Sequence, residues 1–441
     1  MKRSMQKSAS ILMMVMMSAM VVTACGGNNA NSGSGGNTAS GGNSGTEAQG
    51  SNSSGSSGGK KTELLFWSPF SGSDGPFMKK IVDKYNSSQD QYKVNFVIQP
   101  NGEYYKQLDV ALSTGKERPD LMIMHVDQVP TYQSKDQLQP VDELAAAAGI
   151  NPADFAEAPV KYATIDSKLY TIPLDIHPVV MYYNKDLFEK AGITAPPANR
   201  AEFDAAAEKL TDKAKGVYGY VVPTLWPQQF IFPSLVWQNG GELWNGTDVA
   251  YNSPEAVEMV QWLRDMVDKG ISPANVQQDG ENTLFLQGKN AIQFNGPWMK
   301  SQFDEAGLNY GVAVMPQIGK AKQAIYAGSH GFVVPKAVTD SNTLAGIGDF
   351  LKYVSGNSLD WAESGQAVAS KTVMDSAEFK AMEFQSTVSQ SFSSVQFAPN
   401  VLNWGTIVEP VWSELSNAIL GKKSPQQAMD DAVAKSRQAM K

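Results

Sequence analysis

The chain has 441 residues, 42% hydrophobic and 18% charged, too long for one core at roughly 100 to 200 residues per domain, so two or more lobes are expected. A formal charge of −8 leaves no basic stripe to neutralise phosphates and argues against nucleic acid as a partner. Cys25 is the only cysteine, which excludes an intramolecular disulfide, a Cys-based zinc site and a Cys redox pair.

Residues 1–24 read as an export leader. Lys2, Arg3 and Lys7 supply a positive start, and Ile11 to Val22 form an apolar stretch too short to span a bilayer as a stable helix. Removing the leader takes the formal charge from −8 to −11. The end of the leader, Val22-Thr23-Ala24-Cys25, resembles the lipobox of bacterial lipoproteins. That resemblance implies cleavage before Cys25, a diacylglyceryl thioether on its sulfur and acylation of the new amino terminus, enough acyl chains for stable anchoring at the outer face of a membrane. Residues 26 to 59 hold 12 Gly, 9 Ser and 6 Asn and lack the apolar content to order themselves. Residues 25–61 are therefore expected to be a flexible, lipid-anchored tether spanning roughly 30 to 35 Å.

From Glu63 onward strand and helix patterns alternate. Glu63 to Trp67, Tyr92 to Gln99 and Leu121 to His125 are rich in β-branched and apolar residues, and between them Phe77 to Tyr85 and Tyr104 to Ser113 carry helical spacing, with Phe77, Ile81, Val82 and Tyr85 on one face. Such units favour an α/β protein with parallel strands and helices on both faces. Ser253 before Pro254 marks a helix start, Met259, Trp262, Leu263 and Met266 its apolar face, and Gly270 its end. Asn199 with Glu202, and Ser424 with Gln427, have capping-box spacing. Ala291 to Asn295 and Gly331 to Val334 read as further short strands ending in glycine-containing loops.

Three segments carry a family resemblance. Tyr183-Asn184-Lys185-Asp186-Leu187-Phe188-Glu189-Lys190-Ala191-Gly192-Ile193, followed by Pro196-Pro197 and the Glu202 to Leu210 helix, resembles the signature stretch of bacterial extracellular solute-binding proteins of the maltose-binding-protein type. Leu284 to Ile292, running into Asn295-Gly296-Pro297-Trp298, is similar to the family's second motif, and Gly115 to Leu121 to its first. The chain departs from the pattern at Asn199-Arg200, where many members have Thr-Trp, and at His125, where some place an aromatic residue. The resemblance implies a two-lobed periplasmic-binding-protein-like fold with an interlobe ligand cleft and a hinge. Lobe one would be 62–174 plus 326–374, lobe two 178–322 plus 378–441, and Pro173 to Pro178 the first hinge strand. It also implies the role of a monomeric receptor for an ATP-driven ABC importer, with permease subunits and their ATPase as partners.

Sugars present apolar C–H faces and a rim of hydroxyls, so a sugar cleft needs aromatic platforms and directional acceptors, placed beyond the carboxyl ends of strands. Trp67, Trp298 and Trp404 follow strands or sit in loops, and by the resemblance Trp298 and Trp404 match the family's stacking positions. Trp226, Trp237 and Trp244 flank a Gly-containing loop, whereas Trp262 and Trp412 belong to helical apolar faces and are assigned to the core. Asn295 precedes the Gly-Pro-Trp turn, and Gly328-Ser329-His330 is similar to the glycine-rich turn that many members place under the sugar. Asp74, Asp127 and Asp175 can accept bonds from hydroxyls. His125, His177 and His330 fall at strand ends or hinge loops without paired local spacing, so hydrogen bonding or packing is expected of them and neither a metal nor a cofactor. After the leader the only arginines are Arg118, Arg200, Arg264 and Arg437, all away from the expected cleft, which favours a neutral mono- or oligosaccharide over an anion. A surface polysaccharide-binding adhesin and a receptor for a non-sugar solute are the alternatives. No nucleophile elbow, zincin motif or local carboxylate pair supports an enzyme.

Overall fold

The computed structural model describes residues 61–441; the leader and nearly all of the tether, Cys25 included, lie outside the described residues. Strands and helices alternate through residues 62–125 as their patterns require. Thr62–Ser68, Tyr92–Ile98 and Leu121–His125 are strands, and Gly75–Ser88 and Asn101–Thr114 are the helices between them. The first helix buries Met78, Ile81, Val82 and Tyr85, so Met78 stands on the core face where Phe77 was expected, and Phe77 is half-buried beside it.

Three sheets organise the chain. In the first, of five strands, the order is Tyr92–Ile98, Thr62–Ser68, Leu121–His125, His330–Val333 and Ile172–Pro173. Its first three strands are parallel, and His330–Val333 runs antiparallel to both its neighbours. The second sheet orders Tyr310–Val314, Val180–Asn184, Asn290–Asn295 and Tyr218–Tyr220. Each has its own core. Leu64, Phe66, Leu121, Ile123 and Phe332 pack with the helix Ser341–Asn357 around the first. Met181, Phe203, Tyr220, Ile292 and Phe294 pack with Trp262 around the second.

The third sheet, Ala367–Val368, Asp175–Pro178, Ile325–Gly328 and Val395–Gln396, links the other two. One stretch of chain passes from the first sheet at Ile172–Pro173 through Leu174 into the linking sheet at Asp175–Pro178. It then passes through Val179 into the second sheet at Val180–Asn184. A second crossing passes from Gly328 through Ser329 to His330. These single-residue steps bring residues far apart in sequence to one place, with His330 opposite His125 in one register and Gly328 opposite His177 in another.

Helix entries follow their side chains. Ser253 accepts from the Ala256 N–H at 3.3 Å, and the helix Pro254–Asp268 buries Met259, Trp262, Leu263 and Met266 before Gly270 takes φ +69°. Asn199 caps Glu202 at 3.1 Å, while the Glu202 carboxylate returns to the Ala198 N–H at 2.9 Å. Ser424 caps Gln427 at 3.2 Å, but the Gln427 amide turns to Asp431, so only half of that box forms.

Candidate functional site

A cavity of ≈ 510 Å³ opens where the two crossings meet. His125, His177 and His330 line it together with Asp74 and Asp127, and among the described residues no lysine or arginine lines it. Trp226, Phe230, Trp298, Tyr326, Trp404 and Trp412 also line it. Trp226 and Trp298 lie 5.9 Å apart at 38°, Phe230 stands edge-on to Trp226 at 4.8 Å, and Trp298 reaches the His177 ring at 5.8 Å. Offset rings of this kind leave apolar faces for a flat, partly apolar ligand. Two glycines are demanded by close approach: a Cβ on Gly296 would sit 2.1 Å from the Trp298 ring, and one on Gly328 would sit 2.0 Å from His177 Nε2.

Asp175 lies beneath this surface, fully buried. Its Oδ1 accepts from the His177 Nδ1 at 3.1 Å and from the His330 backbone N–H at 2.9 Å. Its Oδ2 accepts from the His330 Nδ1 at 2.8 Å and from the Trp361 indole N–H at 2.8 Å. Burial would push this carboxyl up, but the neighbouring His330 charge and the imidazole donors outweigh it and hold Asp175 well below the usual carboxylate range. Burial also opposes charge on His330, yet Asp175 in contact and Asp74 and Asp127 nearby raise it above the ordinary imidazole value. His125 and His177 are lowered, first by burial and then by the His330 charge. Asp74 and Asp127 are both raised by burial. Asp127 accepts from its neighbour Gln128 at 2.9 Å, and Gln366, buried at the cavity wall, has an Oε1 with no partner.

Asp175, His177 and His330 bring ligating atoms within 4.8 Å of one another, the one such group among the described residues. Both carboxylate oxygens are already occupied by four N–H donors, two of which, an indole and a backbone amide, cannot ligate a metal. The Asp175 carboxylate is fully engaged by hydrogen-bond donors.

Of the residues expected to face a ligand, Asp74, His125, Asp127, His177, Trp226, Trp298, Gly328, His330 and Trp404 come together on the cavity wall. Trp67, Asp175, Trp237, Trp244, Asn295 and Ser329 do not. Strand alternation turns Trp67 to the face opposite Phe66, where it packs with Tyr104, Met122 and Met124. Trp237 is on a helix buried on nearly every side and stacks on Tyr326 at 4°, and Trp244 stands edge-on behind Trp404. Asn295 is spent on its own turn, accepting from the Gly296 N–H at 2.8 Å. Ser329 is buried as a crossing residue whose carbonyl accepts from the Val126 N–H. In the other direction, Trp412, assigned to the core, is half-buried and faces the cavity. The sequence reading also missed Phe230, Tyr326, Gln229 and Gln366. For Gln366 and Tyr326 no local signal exists, because their position is set by sheet pairing.

A sequence profile described as bacterial extracellular solute-binding protein matches residues 71–358. The galactooligosaccharide-binding protein of Bacillus subtilis (strain 168) is 25% identical over 391 residues, which cover 85% of this chain and 89% of that protein. The maltooligosaccharide ABC transporter solute-binding lipoprotein of Streptococcus pneumoniae (strain ATCC BAA-255 / R6) is 26% identical over 334 residues, 73% of this chain and 77% of its own. Among solved structures, the GacH receptor of Streptomyces glaucescens GLA.O superposes with a TM-score of 0.76 at 23% identity, over 86% of this chain and 98% of that one.

Proposed function

Because this chain belongs to the bacterial extracellular solute-binding protein family and has its two-lobed α/β fold, we propose that it is the substrate-binding component of an ABC importer for a neutral mono- or oligosaccharide. The observation that carries this reading is the cavity itself, lined by indole and phenyl rings together with imidazoles, carboxylates and amides. Aromatic faces suit the C–H faces of a pyranose and the polar groups suit its hydroxyls. The lack of any lysine or arginine on the wall, together with Asp74 and Asp127, opposes an anionic ligand. Relatives named for galactooligosaccharide and maltooligosaccharide point the same way.

The lobes are 62–174 plus 326–374 and 178–322 plus 378–441, hinged at the single-residue crossings; the ligand favours the closed state by touching both. Cys25 carries the lipid that holds the tether to the membrane, and the loaded receptor docks as a monomer on the permease, whose ATPase drives transport. Among the described residues no helix is long and apolar enough to cross a membrane, in keeping with an anchored protein. The role is binding, without catalysis. A thermal-shift panel of neutral sugars tests it. Ligand at 100 times its Kd adds about 2.7 kcal/mol, a rise of a few degrees, and Trp298→Ala abolishes that rise. A panel that responds only to uronates or amino acids contradicts the reading.

A further inference from the structure

The three cavity imidazoles, the only histidines of the chain, are each tied through Nδ1, His125 to a tyrosine hydroxyl and His177 and His330 to the one carboxylate of Asp175. Tyr105, on the helix Asn101–Thr114, places its hydroxyl 2.7 Å from His125 Nδ1, and the same oxygen accepts the His125 backbone N–H at 3.0 Å. A hydroxyl has one proton. With its oxygen already accepting from the backbone, that proton is the donor we assign to Nδ1, and His125 then carries its own proton on Nε2. His177 and His330 face an ionised carboxylate, an acceptor only, so both carry a proton on Nδ1. Among the described residues no Nε2 of the three has a hydrogen-bond partner within the protein, and all three rings line the cavity.

We propose that the cleft recognises a pair of neighbouring ligand hydroxyls through three imidazoles in fixed, different states: His125 presents a donor at Nε2, His177 an acceptor, and His330 a cationic donor. Tyr105, and Asp175 buried beneath the imidazoles, are the positioning residues that set those states. This deepens the saccharide reading and rests on it for the identity of the ligand. The ring centroids lie 4.7 Å (His125 to His330), 4.5 Å (His177 to His330) and 6.3 Å (His125 to His177) apart, close enough for adjacent hydroxyls of one ring to meet more than one of them. A hydroxyl donates once and accepts, so two hydroxyls side by side satisfy a donor and an acceptor together, which an ether or a deoxy position does not.

The state of His330 is set by everything that faces it. Asp175 is in contact, Asp74 stands before the helix Gly75–Ser88, and Asp127 comes from the turn after the strand Leu121–His125. His125 and His177 are its imidazole neighbours, and Phe70 and Trp361 stand edge-on to it with ring centroids 5.0 and 6.5 Å away. Three carboxylates around one imidazole favour its proton, while burial first and then that charge disfavour a proton on the other two rings.

The test is imidazole nitrogen NMR on the full chain labelled at histidine, with three rings assigned by single His→Gln variants. At pH 6.5, without ligand, the expected spectrum shows His125 protonated mainly at Nε2, His177 mainly at Nδ1 and His330 mainly at both. Tyr105→Phe releases the His125 tautomer and leaves the other two unchanged; Asp175→Asn removes the His330 charge. If Asp175→Asn does not fold, the wild-type spectrum and Tyr105→Phe decide. With maltotriose as probe, Tyr105→Phe weakens binding about tenfold, and wild-type affinity falls as pH rises through the His330 titration. A His125 protonated at Nδ1, a His330 that titrates below the ordinary imidazole value, or undiminished maltotriose affinity in Tyr105→Phe overturns the proposal. Failure of every saccharide to bind, with the three states as stated, contradicts the saccharide reading and leaves the proton assignment standing.

Discussion

Asp175 stays ionised without any contact with solvent because four N–H groups point at its two oxygens. Asp175→Asn would turn one acceptor oxygen into a donor facing those donors, and a loss of about 3 kcal/mol is expected. The pH sign follows from the partner. His330 has its value raised, so the stability it contributes is complete below the unfolded imidazole value near 6.5 and is lost as pH rises through its higher folded value. Urea unfolding of wild type and Asp175→Asn should therefore converge as pH rises, and a gap that widens instead would contradict the network. Glu281 is the opposite case. It is buried with neither carboxylate oxygen partnered, and burial pushes it up to about 7. A raised acid favours the fold below the unfolded value and loses that contribution as pH rises through 7, a difference of roughly 3 kcal/mol when complete. Glu281→Gln should leave stability at pH 5 nearly unchanged and raise the melting temperature at pH 8.5 by several degrees; equal effects at both pH values would show that the carboxyl is not titrating.

Helices with their signals in adjacent residues were legible down to the cap. Ser253 before Pro254 and Asn199 before Glu202 cap as their spacing requires, and Ser253→Ala should cost about 1 kcal/mol in chemical denaturation, with an unchanged midpoint counting against the cap. Strands were legible as strands, because β-branched and apolar runs need no partner to be recognised. Which face each residue presents was harder. Trp67 and Phe66 are neighbours on opposite faces, and only the helices packed on each side decide which face meets a ligand. Trp412 shows the same limit on a helix. It shares Trp404–Ile419 with the buried Val411 and Leu415 but stands at the margin of that face, where the cavity begins. Asp175 was legible as a polar residue near a hinge, but its role depends on Trp361 and His330, 186 and 155 residues away, and no local pattern carries such a pairing.

The site is assembled by the whole molecule, since both strand crossings must be in place before the histidines meet. That is why the profile of residues was readable from sequence while their geometry was not: composition and motif spacing place aromatics and acids at strand ends, and sheet order brings the ends together. Closure is the corresponding motion. With the crossings at Leu174, Val179 and Ser329 reduced to single residues, rotation of the lobes needs few backbone changes, and saturating ligand should shrink the radius of gyration measured by small-angle scattering. Unchanged scattering with saturated sugar would contradict the hinge.

The measurement that tests the account most directly is calorimetric titration of the purified protein with a matched panel of neutral oligosaccharides, their uronate counterparts and free amino acids. The account predicts one-to-one binding of a neutral saccharide at about −8 kcal/mol, in the micromolar range, and its loss in Trp298→Ala. Binding only of an anion or an amino acid, or neutral-sugar binding indifferent to Trp298→Ala, would contradict it.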